Sequence, residues 1–270
     1  MSTSRSRRPT PEAKAPPRRP RSYWPLVPLA AAIAAATLIA ALPAAVLTHF
    51  LPARVRLADL SGTIWHGAAG RLSIEGRDAG AIEWRLHPLG LLHGALQLDV
   101  HWVALGMSVD GATRIDRGGL EARGIRGGGP IGDLARLGLT PGWSGTVKLS
   151  LASLETSLTR IDSITGDVRV SDLASTAIAG GADLGGYRAT FSAASAADGT
   201  LAARVDDTGG PLQLRAKVTI DQSAHRGVIS GTLAARPQAP AALAAVVAQM
   251  ADVRGRDALG RVPVDLEFTF

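Results

Sequence analysis

Apolar and polar positions alternate strictly through several parts of the chain. Leu96, Leu98, Val100 and Trp102 alternate with Gln97, Asp99 and His101. Leu212, Leu214, Ala216, Val218 and Ile220 alternate with Gln213, Arg215, Lys217, Thr219 and Asp221. Val262, Val264, Leu266, Phe268 and Phe270 alternate with Pro263, Asp265, Glu267 and Thr269. A period of two puts one side of each segment in a core and the other in water, which predicts half-buried antiparallel strands. Shorter runs of the same kind lie at Leu72–Ile74, Ile82–Leu86, Val147–Leu151, Val168–Val170, Tyr187–Phe191 and Leu201–Val205. Turn residues punctuate the gaps, as in Asp110-Gly111, Gly118-Gly119, Asp198-Gly199 and Gly209-Gly210. A glycine opens an alternating run at Gly62, Gly94, Gly145, Gly166 and Gly231, without a fixed repeat period. The predicted fold is mainly β, an antiparallel, curved or sandwich-like sheet with one or two short helices.

Two stretches depart from alternation. Leu243, Val246, Val247 and Met250 recur at helical spacing within Pro240–Asp252 and predict a helix that caps the sheet. Ile131–Leu137 reads as a short helix behind a loop at Gly127-Gly128-Gly129-Pro130. Nearer the start, Ser22–Ala53 contains no Asp, Glu, Lys or Arg, and Leu26–Leu47 is apolar throughout except for Thr37. That length predicts a membrane-spanning helix, with Tyr23 and Trp24 at one interface and Pro43 kinking or ending it near the other. The chain therefore divides into a tail (1–22), a transmembrane helix (23–49) and a β-rich domain (50–270).

Charge fixes the orientation of the span. Residues 1–22 hold seven basic residues and one acid, Glu12, a net charge of +6. The remaining 248 residues hold 22 basic and 22 acidic side chains, since 29 − 7 = 22 and 23 − 1 = 22. The whole excess sits in a Pro- and Arg-rich tail that cannot bury a core. By the positive-inside rule the tail stays in the cytoplasm and the β domain is exported. The rival reading, a cleaved signal peptide, requires shorter charged and apolar regions than these. A neutral domain also argues against nucleic acid as a partner.

Candidate chemistry is sparse. The absence of Cys removes disulfides, thiol nucleophiles and Cys-ligated metals. None of the six histidines belongs to an H-E-x-x-H pair. The triglycine at 127–129 lacks the Lys-Ser/Thr of a phosphate loop, and no G-x-S-x-G elbow occurs. No catalytic, metal or cofactor residue is predicted, and the expected class is non-enzymatic. The final strand ends in Phe270, as outer-membrane barrels often do. With five Trp, two Tyr and four Phe in the whole chain, the aromatic girdles of a barrel are lacking, and an ordinary core strand is the better reading.

Two tryptophan-bearing segments follow the predicted span. The first is Val55-Arg56-Leu57-Ala58-Asp59-Leu60-Ser61-Gly62-Thr63-Ile64-Trp65-His66-Gly67. The second is Ile82-Glu83-Trp84-Arg85-Leu86-His87-Pro88-Leu89-Gly90-Leu91-Leu92-His93-Gly94. They read as a hairpin-like pair in which Gly62 and Gly67 bracket a short strand and Pro88 opens the turn out of the next. Trp65 and Trp84 are expected to anchor one end of the core. The Gly62-Thr63-Ile64-Trp65-His66-Gly67 and Trp84-to-Pro88 stretches, with the basic tail and single span, resemble the N protein of the bacterial type II secretion system. The likeness extends to Gly231-Thr232-Leu233, the following helix, and Gly260-Arg261 before a final strand. Residues 105–230 match in texture only.

This resemblance implies a component of a machine that exports folded periplasmic proteins across the outer membrane of a Gram-negative bacterium. It implies protein partners within that machine, no small-molecule substrate and no cofactor. The competing reading is a lipid-handling protein whose curved sheet offers an apolar groove.

Overall fold

The computed structural model describes residues 37–49, 51–91, 93–104, 106–132, 142–157, 160–178, 180–192 and 199–269. The predicted tail, most of the predicted span, the greater part of the Ile131–Leu137 helix and Phe270 lie outside them. Among the described residues no helix is long and apolar enough to cross a membrane. A helical turn at 37–40 belongs to one compact unit, and residues from Leu42 onward form a second.

The second unit is one antiparallel sheet. Its first strands are β1 (Val55–Gly62), β2 (His66–Ile74), β3 (Arg77–Asp78), β4 (Ala81–His87), β5 (Leu96–Ala104), β6 (Met107–Asp116) and β7 (Gly119–Pro130). They are followed by β8 (Trp143–Thr156), β9 (Ile161–Ser175), β10 (Asp183–Phe191), β11 (Thr200–Gly209), β12 (Leu212–Asp221), β13 (Arg226–Ala235) and β14 (Val262–Thr269). Spatial order follows chain order from β1 to β14, with the two-residue β3 set aside against β2. The protein is thus mainly β, and a single sheet forms where a sandwich was also compatible with the pattern.

Every alternating run lies in a strand except the one opened by Gly62, which falls in the turn from β1 into β2. Alternation missed β6 and β7 because their glycines and short polar side chains dilute the period, and it marked β13 only from Gly231 onward; Asp110-Gly111, expected in a turn, lies within β6. The predicted loop at Gly127–Pro130 is instead the end of β7, paired with β6 through Val109↔Gly127 and with β8 through Pro130↔Thr146. Backbone hydrogen bonding needs no side chain. A Cβ at Gly127 would stand 2.4 Å from the Ser108 carbonyl oxygen, so glycine here permits close strand contact.

One face of the sheet is apolar from end to end, and it stays in phase through local breaks in the pleat. Asp59 adopts a φ of 56°, which lets Leu57 and Leu60, three residues apart, reach the same cluster. Asp172, with a φ of 53°, lies at a register shift between β9 and β10, beside Leu173, which packs with Leu184 and Tyr187. Between β6 and β7 the register shifts near Gly124, and Ala122 and Ile125 are both buried. Each break offsets the drift that an extra residue imposes on a period of two.

Two elements cover this face locally. A 3₁₀ turn (Ala44–His49) packs Ala44 and Leu47 with Leu57, Ala69 and Trp84. Apolar continuity assigned residues 44–49 to the predicted span, but here they belong to the β domain. The reason is Pro43, which bridges to Thr63 as an extended residue, while Leu42 accepts a hydrogen bond from Ile64 N. The short α1 (Pro88–Leu91) turns the chain from β4 into β5. The predicted capping helix is α2 (Ala241–Arg254), and it buries Leu243, Val247 and Ala251 along one stripe. These join Leu184, Leu212 and Val262, with Trp143, Leu173, Tyr187 and Leu233 packed around them. Leu243 and Val262 are 1% and 0% exposed, the largest apolar side chains buried so completely among the described residues.

Polar groups close the gaps that packing leaves. Beyond Phe191 the ladder between β9 and β10 ends. There the Gln222 carboxamide stands in for a peptide: Oε1 accepts from Ile161 N at 2.7 Å, and Nε2 donates to Ile161 O at 2.8 Å. Near the other end Arg236 joins Asp207 to the Gly210 carbonyl. Tyr187 donates to Leu184 O at 2.6 Å, and burial, with Asp207 and Asp183 nearby, pushes its phenol up to about 12.

Gln222→Ala is expected to cost about 1–3 kcal/mol in urea denaturation, because two backbone groups of Ile161 lose their partners. A change within about 0.5 kcal/mol would show that water replaces the carboxamide. The Tyr187 phenol ionises later in the native state than in the unfolded chain. The native state therefore holds more protons from pH 10.0 to about 12, and stability falls as pH rises through that window. Tyr187→Phe should remove this slope, with tyrosinate absorbance and denaturation read in parallel.

Candidate functional site

The tryptophan-bearing segments do meet, but the short strand expected between Gly62 and Gly67 is instead the turn from β1 into β2, closed by the Thr63–His66 hydrogen bonds. Gly62 pairs with Gly67 at the end of β1 and β2, and Gly67 pairs in turn with Trp84 on β4. Thr63 N donates to His66 O at 2.9 Å, and Thr63 Oγ1 accepts from His66 N at 3.2 Å. Gly62 has a φ of +81°, and a Cβ there would lie 2.4 Å from His66 O, so this turn requires glycine.

Trp84 is 8% exposed. Its Nε1 donates to Ile64 O at 3.1 Å, which satisfies the one polar atom the ring carries inward. The ring also explains Gly67: a Cβ there would meet Trp84 Cζ2 at 2.6 Å and two backbone oxygens at 2.8 Å. Trp65 is only half-buried, in the connection itself, and its carbonyl accepts from Leu86 N at 2.7 Å. Pro88 begins α1, three residues after Arg85, and faces solvent. Gly62, Thr63, Trp65, Gly67, Trp84 and Pro88 thus shape one corner of the sheet. Trp102 and Trp143 carry comparable structural loads, with Trp102 Nε1 bonded to Ala79 O at 2.6 Å and Trp143 set against the α2 cluster. Neither stands in a recognisable motif.

The opposite, polar face of β2 and β4–β6 contains a cleft of about 350 Å³ lined by His66, Glu83, Arg85, Asp99, His101 and Asp110 among others. His87 Nε2 lies 2.9 Å from Asp99, and His101 Nδ1 lies 2.5 Å from Asp110. The cleft lining holds no hydroxyl, thiol or amine nucleophile. Among the described residues no group of three or more His, Asp or Glu is placed to hold a metal. Exposed pairs of this kind contribute little to stability, and their chemistry is that of a hydrated, charged surface.

The two sheet edges differ. β1 is kinked at Asp59 and flanked by the 3₁₀ turn. β14 carries Pro263, which has no N–H, and its Asp265 carbonyl accepts from Arg254 Nη1 at 3.2 Å. Beyond that point Leu266 and Phe268 are 50% and 40% exposed. Both edges are blunted in ways that limit indiscriminate strand addition, and the last residues of β14 are the least protected.

A family model described as type II secretion system (T2SS), protein N matches residues 53–264. No curated protein and no solved structure matches the chain. Trp84→Ala is expected to cost about 3–5 kcal/mol by loss of a buried ring, and half-buried Trp65→Ala distinctly less. Equal losses in thermal or urea unfolding would overturn the ranking.

Proposed function

Because this chain belongs to the type II secretion system protein N family, we propose that it is a non-enzymatic, inner-membrane component of that machinery whose β domain contacts other envelope components in the periplasm. The family match carries the reading, since it spans nearly all of the β domain. Membership itself places the chain among proteins that work with other secretion components.

The finer parts of the proposal rest on the residues. The net charge of the tail and the uncharged stretch Ser22–Ala53 support one span with the tail in the cytoplasm. A single sheet with a hydrated polar face and two exposed edges supports docking rather than turnover. Residues 266–269 of β14 are suited to receive a strand from a partner.

A second reading, lipid handling, has one observation in its favour. Between the 3₁₀ turn and α2, no described helix lies on the apolar face, where Ile115 is 37% exposed. Deletion of the gene separates the two. The secretion reading expects exported proteins to accumulate in the periplasm with outer-membrane lipid unchanged. Normal secretion with altered lipid would favour the second.

A further inference from the structure

The domain is neutral as a whole, but its charge is sorted by the register. On the polar face, Lys148 of β8 pairs with Arg169 of β9, and Arg169 pairs with Arg188 of β10. The row continues through Asp206 to Arg215. The row beside it runs from Arg126 through Ser150, Asp167 and Thr190 to Arg204 and Lys217. These two rows hold seven cations and two carboxylates, a net charge of +5, while Glu121, Arg123, Glu155 and Asp221 lie further along the same face.

Like charges directly opposite on adjacent strands oppose folding, and three stand in succession here. Among the described residues Arg169 has an ion pair, with Asp167, and the other six cations have none. Five of those six are exposed; Arg188 is half-buried, and its Nε is shut off from solvent without a hydrogen-bond partner. Clefts of about 540 Å³ and 570 Å³ lie on either side of the Arg169–Arg188 ridge. Gly127–Gly129 line the first, and Arg204 and Lys217 the second.

We propose that this face docks an acidic, extended segment of a partner protein, whose carboxylates enter the two clefts and pair with the unpartnered cations. The inference rests on the reading of the chain as a secretion component that works through protein contacts. Three features favour polypeptide over a lipid surface. Asp167 and Asp206 sit among the cations, where a uniformly anionic sheet of headgroups would be repelled but individual side chains can avoid them. On β12, Arg215 and Lys217 stand two residues apart, about 6.8 Å, the spacing of alternate residues in an extended chain. Five of the seven are arginine, which binds carboxylate through two parallel hydrogen bonds.

The test uses the full-length protein in detergent, with glutamine in place of the seven tail cations so that the tail does not bind the probe. The probe is fluorescent poly-L-glutamate. Binding is expected to weaken with added salt and to fall by about tenfold or more in Arg126→Glu/Lys148→Glu/Lys217→Glu. The control Arg56→Glu/Arg71→Glu/Arg77→Glu makes the same charge change at the other end of the sheet and should bind as the parent does. The first triple variant relieves like-charge contacts, so its unfolding temperature should hold or rise, which separates lost docking from lost folding.

Equal weakening in both variants, or no binding by the parent, would overturn the proposal. So would binding to phosphatidylglycerol vesicles without binding to poly-L-glutamate. In cells, a deletion strain that secretes normally would refute the secretion reading itself. A deletion that blocks secretion but is fully rescued by the first triple variant would refute the acidic docking face alone.

Discussion

Each interior strand of the sheet completes its backbone hydrogen bonds with the strands on either side of it, and along nearly the whole chain those are its neighbours in sequence. This ladder is the constraint on which the other features depend. It lets one layer grow across the domain without long crossovers, so most contacts close short loops and carry a small entropic cost. It also leaves two edges and two faces to be managed by side chains. Where the ladder ends early, as beyond Phe191, a side-chain amide from Gln222 takes over the missing backbone partners.

A single layer survives in water only if its faces differ. The apolar face is kept continuous by the positive-φ residue Asp59 and by the shift near Gly124, each of which realigns side chains with the core. Helix α2 and the 3₁₀ turn then remove the two ends of that face from water. In the middle, Ala122, Ile125 and Leu151 are buried by side chains from neighbouring strands of the same sheet. The polar face needs no cover, and it is where the register gathers charge. The corner built by Gly62, Gly67 and Trp84 shows how tightly the layer is locked at its start: the Trp84 ring fills the space that Gly67 leaves open, and the turn beside it admits only glycine at 62.

For function, the arrangement divides labour between the surfaces. The tryptophan corner stabilises, the blunted edges limit unwanted pairing, and the cationic rows of β7–β12 present the strongest unmet electrostatic demand in the domain. A family known by its machine rather than by a reaction fits a fold whose distinctive features are surfaces. The residues that resemble the family most closely, Gly62 to Gly67 and Trp84 to Pro88, are those that shape the sheet, while the unpaired cations lie in the middle region where the resemblance is weakest.

Alternation alone gave the β class, most strands and the capping helix, because burial of one face imposes a period of two and a helix imposes 3.6. Local residue types likewise marked the Trp84 strand, whereas Gly62–Gly67, read as a short strand, holds the turn from β1 into β2. Strands whose small residues blur the period, β6 and β7, became visible only through pairing, and so did the true role of Gly127–Pro130. Pro43 marked a break in sequence; the tertiary structure decided that residues 44–49 pack on the sheet. Most of all, the charge total of the domain is a property of composition and is zero, whereas the cationic face is a property of register. Lys148, Arg169 and Arg188 are about 20 residues apart in sequence, and only the hydrogen-bonded ladder sets them side by side.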